Sequence, residues 1–396
     1  MQPTGEQLDY LDFAAPGFST RSATVLQARD CNWCARTPYG LAVLRHREVG
    51  LLLRDKRLRQ GSYDWSRING LSGSFSDFWS RSIISQEGDV HRALRQIATS
   101  ALSPDYIQGL IPQFDHSAEM LAEKIVKQGE CDFMAEFAVP FAGQAICIIL
   151  GMDIEDWERV SYDASDLGLA LGVDCKNHES RFNVSYDRLA ALANELIDKA
   201  RSKPAANNLV SRLVENFDAA ELQDPQQLQD LVVISIFGGV DTTKSQLGFV
   251  VSLLVEHPDQ WKFLRQDPEL VGNAIEESIR LRPTTTWATR EAIDDFEFQG
   301  QAIKRGEKLH MMVHASACDP EICDEQTFDI QASRKIHFGF GGGAHHCIGH
   351  LAARTDMASA LKALVKKDVD LSYSSLPTWL PETGNTSPTT LPLRIG

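Results

Sequence analysis

The stretch from Pro225 to His257, PQQLQDLVVISIFGGVDTTKSQLGFVVSLLVEH, constrains the fold more than any other part of the chain. Apolar residues at Leu228, Leu231, Val232, Ile236, Val240, Leu247, Val250, Val251 and Leu254 recur at helical spacing. A helix of that length runs roughly 45 Å at 1.5 Å per residue, and few domains have use for one. Pro225 suits its first turn and Pro258 stops the other end. Its centre is GGVDTT, residues 238–243. Two glycines, an acid and two β-branched alcohols are all poor helix formers, a glycine costing about 1 kcal/mol relative to alanine. That penalty predicts a local widening or kink where something must approach the backbone, the plainer alternative being a packing notch for a crossing helix.

The second constraint is HFGFGGGAHHCIGHLAAR, from His337 to Arg354, with five glycines, four histidines, one cysteine and no acid. Three sites fit such a composition. Gly339 to Ala344 satisfies the G-x-G-x-x-A phosphate cradle, but a dinucleotide fold needs a preceding buried strand and a following βαβ unit, for which too little chain remains. Zinc would use His345, His346, Cys347 and His350, yet four ligands from one helical turn do not converge on a tetrahedral ion. A heme thiolate explains more of the residues. Cys347 stands ahead of a helical pattern (Ile348, Leu351, Ala352, Ala358, Leu361, Val365), where dipole and free N–H groups stabilise a thiolate, and the glycines let backbone pass close under a flat macrocycle.

Composition sets outer bounds. The 396 residues are 43% hydrophobic and 23% charged, ordinary globular values. A formal net charge of -15 argues against general affinity for nucleic acid or anionic membranes. The N-terminal MQPTGEQLDYLDFAAPGF shows neither a signal peptide nor a membrane anchor, so the expectation is a soluble, cytoplasmic protein. Eight scattered cysteines lack the spacing of a secreted disulfide scaffold. Cys31 and Cys34 form a C-x-x-C without a second pair to complete a zinc site. In the predicted helix from Pro268 to Arg282, Glu277 and Arg280 stand i,i+3, which taken alone reads as a surface ion pair.

The run from Phe340 to Gly349 resembles the F-G-x-G-x-[HR]-x-C-x-G signature of the cytochrome P-450 family. Gly238 to Thr243 is similar to its [AG]-G-x-[DE]-T-T, Glu277 to Arg280 to its E-x-x-R, and DVHRALRQIATSALSP (89–104) to its first heme-contacting helix. The resemblance implies a mainly α fold with a small β portion: a triangular prism with a long distal helix, and heme between distal and proximal helices. One domain would span residues 1–396, β-rich at about 20–60 and 285–335 with a C-terminal hairpin at about 368–396, and α-rich at about 89–282 and 348–366.

It further implies heme b (iron protoporphyrin IX) ligated by Cys347, with Phe340 and Gly349 beside it and His91, Arg95, Arg290 and His345 holding the propionates. Asp241 and Thr242 would relay protons, and Glu277 with Arg280 would be a scaffold pair. The family usually adds an arginine three or four residues after the phenylalanine of its FDI; here those positions are Gln331 and Ala332, leaving Arg334 as substitute. Phe75, Phe78, Trp79, Gly238, Thr285, Trp287 and Thr390 fall where the family lines its pocket, although the aromatics suit loop core equally well.

The implied activity is O2-dependent hydroxylation or oxidative dealkylation of a small, largely apolar or aromatic molecule. Electrons would come from a separate ferredoxin and an NAD(P)H-dependent flavin reductase, since the chain shows no room for flavin or iron–sulfur domains. Residues 91–104 and 332–355 hold Arg92, Arg95, Arg334, Lys335 and Arg354 without an acid, a basic patch suited to an acidic carrier. The rivals are a heme-thiolate binding or sensing protein without turnover and a peroxide-driven peroxygenase. Asp241 and Thr242 speak for the O2-dependent enzyme.

Overall fold

The computed structural model describes residues 8–172, 174–203, 206–220, 224–323, 327–334 and 336–396. Helices dominate, and their apolar faces meet in one large core that runs from Leu71 to Ile395. Its axis is the central helix, Pro225–Glu256, whose start is capped by the Asp224 side chain accepting the Gln226 N–H. Around it lie Val139–Leu150, Trp157–Gly168, Glu179–Ser202 and the acid helix, Val271–Leu281. The cysteine helix, His350–Val365, packs on Pro104–Gln128 and touches both the acid helix and the central helix.

The β portion is small. Its main sheet is ordered Cys34–Thr37, Gly40–Val43, Lys308–Met312, Trp287–Ala292, Leu58–Gln60, with one parallel pairing, Leu41 opposite Leu309 and Val43 opposite Met311, between the second and third strands. A three-stranded sheet joins Glu130–Asp132, Pro392–Ile395 and Leu371–Tyr373. The hairpin of Thr378–Trp379 and Pro388–Thr390 lies against the central helix, where the Trp379 ring stacks on Phe249 with centroids 5.8 Å apart.

Two local expectations change. The centre of the central helix is α-helix without a widened turn. Its alcohols bond back along the helix instead, Thr242 Oγ1 to the Gly238 carbonyl and Ser245 Oγ to that of Asp241, both at 2.7 Å, so they satisfy themselves without displacing the backbone ladder. The predicted Pro268–Arg282 helix starts as a short 3-10 turn, Pro268–Leu270, before the α-helix begins at Val271.

Candidate active site

Between its buried stretches, the middle of the central helix leaves Ile234, Ser235, Gly238, Gly239, Asp241, Thr242 and Lys244 incompletely buried. Their three- and four-residue spacing makes one accessible stripe. The two glycines there do different jobs. A Cβ on Gly239 would come 2.8 Å from Ile146 Cδ1, so that glycine permits helix packing, whereas a Cβ on Gly238 meets nothing within 4 Å. Asp241 Oδ1 lies 2.9 Å from Lys244 Nζ, which donates to Ser165 Oγ at 2.7 Å.

The glycine-rich loop folds as its sequence requires. Gly343 has φ +68°, and a side chain there would strike the Leu53 carbonyl. The Cys347 N–H donates to the Phe340 carbonyl at 2.9 Å, closing the loop. The Cys347 thiol is accessible although protein surrounds it closely, so it faces a sheltered space rather than bulk solvent. Burial pushes its pKa up, opposed by the N–H groups of Gly349 and His350 and the charges of Arg95 and Arg354. Cys347 precedes the cysteine helix, where those N–H groups are otherwise unpaired.

The comparisons agree with this geometry. The family model described as Cytochrome P450 matches residues 170–367. Luteothin monooxygenase of Streptomyces thioluteus is 35% identical over 100% of this chain and 98% of its own length. The chain belongs to the cytochrome P-450 family. Mycinamicin IV hydroxylase/epoxidase of Micromonospora griseorubida is 27% identical over 84% of this chain and 83% of its own. The crystal structure of CalO2 superposes with a TM-score of 0.86 at 25% identity, covering 96% of this chain and 99% of that one.

A cytochrome P-450 carries heme, and the residues present fit it. Arg290 is 5% exposed, and among the described residues its guanidinium donates only to carbonyls, of Thr289 at 3.0 Å and Gly342 at 3.2 Å. Burial depresses its pKa to about 10, with Glu87 the one opposing charge felt. A desolvated guanidinium without a bonded carboxylate is matched to a cofactor that brings carboxylates. His91 is buried with its ring 4.2 Å from that of His345, and burial, reinforced by the neighbouring His345, lowers its pKa to about 4. Arg95 donates to the His346 carbonyl at 2.6 Å. His345 Nε2 lies 3.1 Å from Glu87 Oε1, a carboxylate that sequence reasoning missed. Among the described residues no group of three or more histidines, cysteines or acids is placed to hold a metal ion, so the zinc reading, and a metal role for Cys31 and Cys34, lose their ligand set.

Glu277 and Arg280 are a buried pair, not a surface one: two 2.6 Å bonds join them, and both are 3% exposed or less. Arg334 NH2 reaches Glu277 Oε1 at 3.4 Å, and the Asp329 N–H donates to the same oxygen at 3.2 Å. The position left open at Gln331 and Ala332 is thus served by Arg334. Arg280 also donates to the Thr327 carbonyl and the Cys318 sulfur.

Several pocket residues are placed elsewhere. Phe75, Phe78 and Trp79 form a helix, Ser74–Arg81, and are core: Phe75 meets Phe182 and Phe78 meets Tyr186, each at 5.0 Å, while Trp79 Nε1 donates to the Ser62 carbonyl. Trp287 points to an N-terminal cluster, 5.1 Å from the Phe13 ring. Strand alternation explains this, because Trp287 shares a face with Thr289 and Glu291 while Ala288 shares one with Arg290. Thr285 bridges to Asn385, and Thr390 bonds to Thr378 across the hairpin at 2.7 Å.

The basic patch is also altered. Arg92 pairs with Asp89, Arg334 with Glu277 and Arg354 with Glu276, so carboxylates distant in sequence or just outside the patch compensate three of its arginines. Lys335 lies outside the described residues. No helix among the described residues is long and apolar enough to cross a membrane.

Proposed function

We propose that this monooxygenase holds heme b through Cys347 and, with O2 and electrons from a separate ferredoxin and NAD(P)H-dependent flavin reductase, hydroxylates or oxidatively dealkylates a largely apolar natural-product molecule. The names luteothin monooxygenase and mycinamicin IV hydroxylase/epoxidase support oxygenation of a small organic molecule. Heme with a thiolate ligand supplies O2 activation, the sulfur donating density that favours O–O cleavage.

The chain's own residues do the rest. The Gly349 and His350 N–H groups and the Arg95 and Arg354 charges favour an anionic sulfur at Cys347. Arg290 and Arg95 would supply cationic donors, and His91 and His345 further ring N–H donors, to two propionates. Thr242 Oγ1 holds a proton on the accessible stripe, and Asp241, next in sequence, exchanges it with solvent-side groups. Gly238 leaves room beside them for the substrate.

The observation that carries the reading is this acid–alcohol pair on the accessible stripe at the middle of the central helix. A peroxygenase or a sensor has no use for it. The test is product formation coupled to NAD(P)H with a surrogate ferredoxin and reductase, on compounds first selected by their shift of the ferric heme from low to high spin. Turnover with hydrogen peroxide alone, or a spin shift without turnover, would establish one of the rivals. Cys347→His should abolish the red-shifted Soret band of the reduced carbon monoxide complex, and an unchanged band would assign the iron to another residue.

A further inference from the structure

The acid helix carries two consecutive glutamates, and the scaffold pair uses only the second. Successive residues of a helix point about 100° apart, so Glu276 faces a different neighbour from Glu277. That neighbour is the thiolate loop. Glu276 Oε2 lies 3.1 Å from His337 Nε2, and its two oxygens take a two-pronged grip from Arg354 at 2.6 and 2.9 Å. Burial of the carboxyl works the other way, yet these bonds hold its pKa at about 2.

Each partner passes the contact on. His337 Nδ1 accepts the Gly339 N–H at 3.1 Å, which leaves Nε2 to carry the proton donated to Glu276 and sets the tautomer. Arg354 lies over the Phe340 ring, 4.2 Å from its centroid, and its NH1 donates to His350 Nδ1 at 3.0 Å. The Phe340 carbonyl is the acceptor of the Cys347 N–H. The His350 ring meets His346 edge-on at 4.8 Å. One carboxylate therefore grips the loop before the cysteine, through His337 and Gly339, and after it, through Arg354 and His350.

We infer that Glu276 is the positioning residue of the thiolate loop: through His337 and Arg354 it holds Phe340 and the first turn of the cysteine helix so that Cys347 keeps its bond to iron. The inference rests on the reading of Cys347 as the heme ligand. Glu276 bonds to His337 and Arg354, not to Cys347 itself, and it also consumes the charge of Arg354, which the sequence offers to a docking partner. Partners that orient a metal ligand commonly matter about as much as tenfold or more in metal retention.

The test uses the reduced, carbon monoxide-bound holoenzyme and follows conversion of its thiolate-type Soret band to the neutral-ligand band. Glu276→Ala should convert about tenfold faster than wild type. Glu276→Gln, which keeps the shape and one acceptor but not the charge, should fall between. Arg354→Lys keeps the charge without the two-pronged grip or the ring stacking and should resemble Glu276→Gln. The denaturant midpoint of Glu276→Gln should stay near wild type. Conversion at the wild-type rate in heme-loaded Glu276→Ala, or in Glu276→Gln if the alanine variant does not load, overturns the inference. So does a loss of global stability in Glu276→Gln large enough to account for the faster conversion. Wild-type protein lacking the thiolate band from the outset would instead overturn the reading of Cys347, and this inference with it.

Discussion

Asp241 and Lys244 are joined one turn apart on the central helix, oxygen to nitrogen 2.9 Å, and the same ammonium donates to Ser165 on the neighbouring Trp157–Gly168 helix. The acid proposed to move protons is thus anchored by its own helix. Asp241→Asn keeps the shape but cannot exchange a proton, and turnover should fall about 100-fold, the low end of general acid–base contributions. Substrate-induced spin shift should persist. Wild-type turnover in this variant would remove Asp241 from the relay.

Thr242 differs from its neighbour in what it should lose. Its hydroxyl bonds the Gly238 carbonyl at 2.7 Å, while its methyl only packs. Thr242→Ala should keep heme loading, substrate binding and NAD(P)H consumption, with product replaced by hydrogen peroxide. Thr242→Val, similar in shape but lacking the hydroxyl, should behave the same way. Product yield per NAD(P)H is the measurement, and wild-type coupling in both variants places the relay elsewhere.

Glu277 and Arg280 bury opposite charges within 2.6 Å of each other. Truncating either to alanine strands the other, which commonly costs about 3–5 kcal/mol. Denaturation should show that loss alongside poor heme loading. Equal stability and full loading in either variant would contradict a scaffold role.

Gly238 predicts a trade. Its Cβ position is open, so Gly238→Ala gains helix propensity and should raise stability by up to about 1 kcal/mol. The added methyl stands on the accessible stripe, so substrate affinity or product regiochemistry should change. Gly239→Ala should be the less stable of the two, because its Cβ meets Ile146.

Asp356, on the cysteine helix, is 3% exposed, and its Oδ1 has no hydrogen-bond partner among the described residues. Burial raises its pKa well above the usual carboxylate value, against a backbone hydrogen bond at Met357. A carboxyl raised in the folded state is bound to its proton more tightly there than in the unfolded chain. Its contribution is therefore fully present below the unfolded pKa and declines as pH rises toward the folded one, by about 1.4 kcal/mol per pH unit. Asp356→Asn should flatten that slope, measured by urea denaturation between about pH 5 and pH 8. An unchanged slope would show that Asp356 is already ionised in the fold.

What could be read from the chain was read where backbone geometry is local. The spacing of Leu228, Val232, Ile236 and their successors implies the central helix, and the glycines before Cys347 imply a tight loop opening a helix, because both follow from φ, ψ and side-chain period within a few residues. The α-helical course of the helix centre is not legible there, since nothing in GGVDTT reveals that Thr242 and Ser245 satisfy their hydroxyls on the preceding turn.

The sequence by itself determined the family motifs, the central helix and the identity of Cys347, Asp241 and Thr242 as candidates. Tertiary structure alone decided which charges meet and which way aromatics turn. Glu276 reaches Arg354 across 78 positions and Glu87 reaches His345 across 258, so the acid-free stretches around Cys347 look basic until the fold brings carboxylates to them. Trp287 faces Phe13 because strand pairing, not composition, sets which side of the sheet it occupies. Coulomb energy and packing depend on distance in space, and distance along the chain carries no record of it.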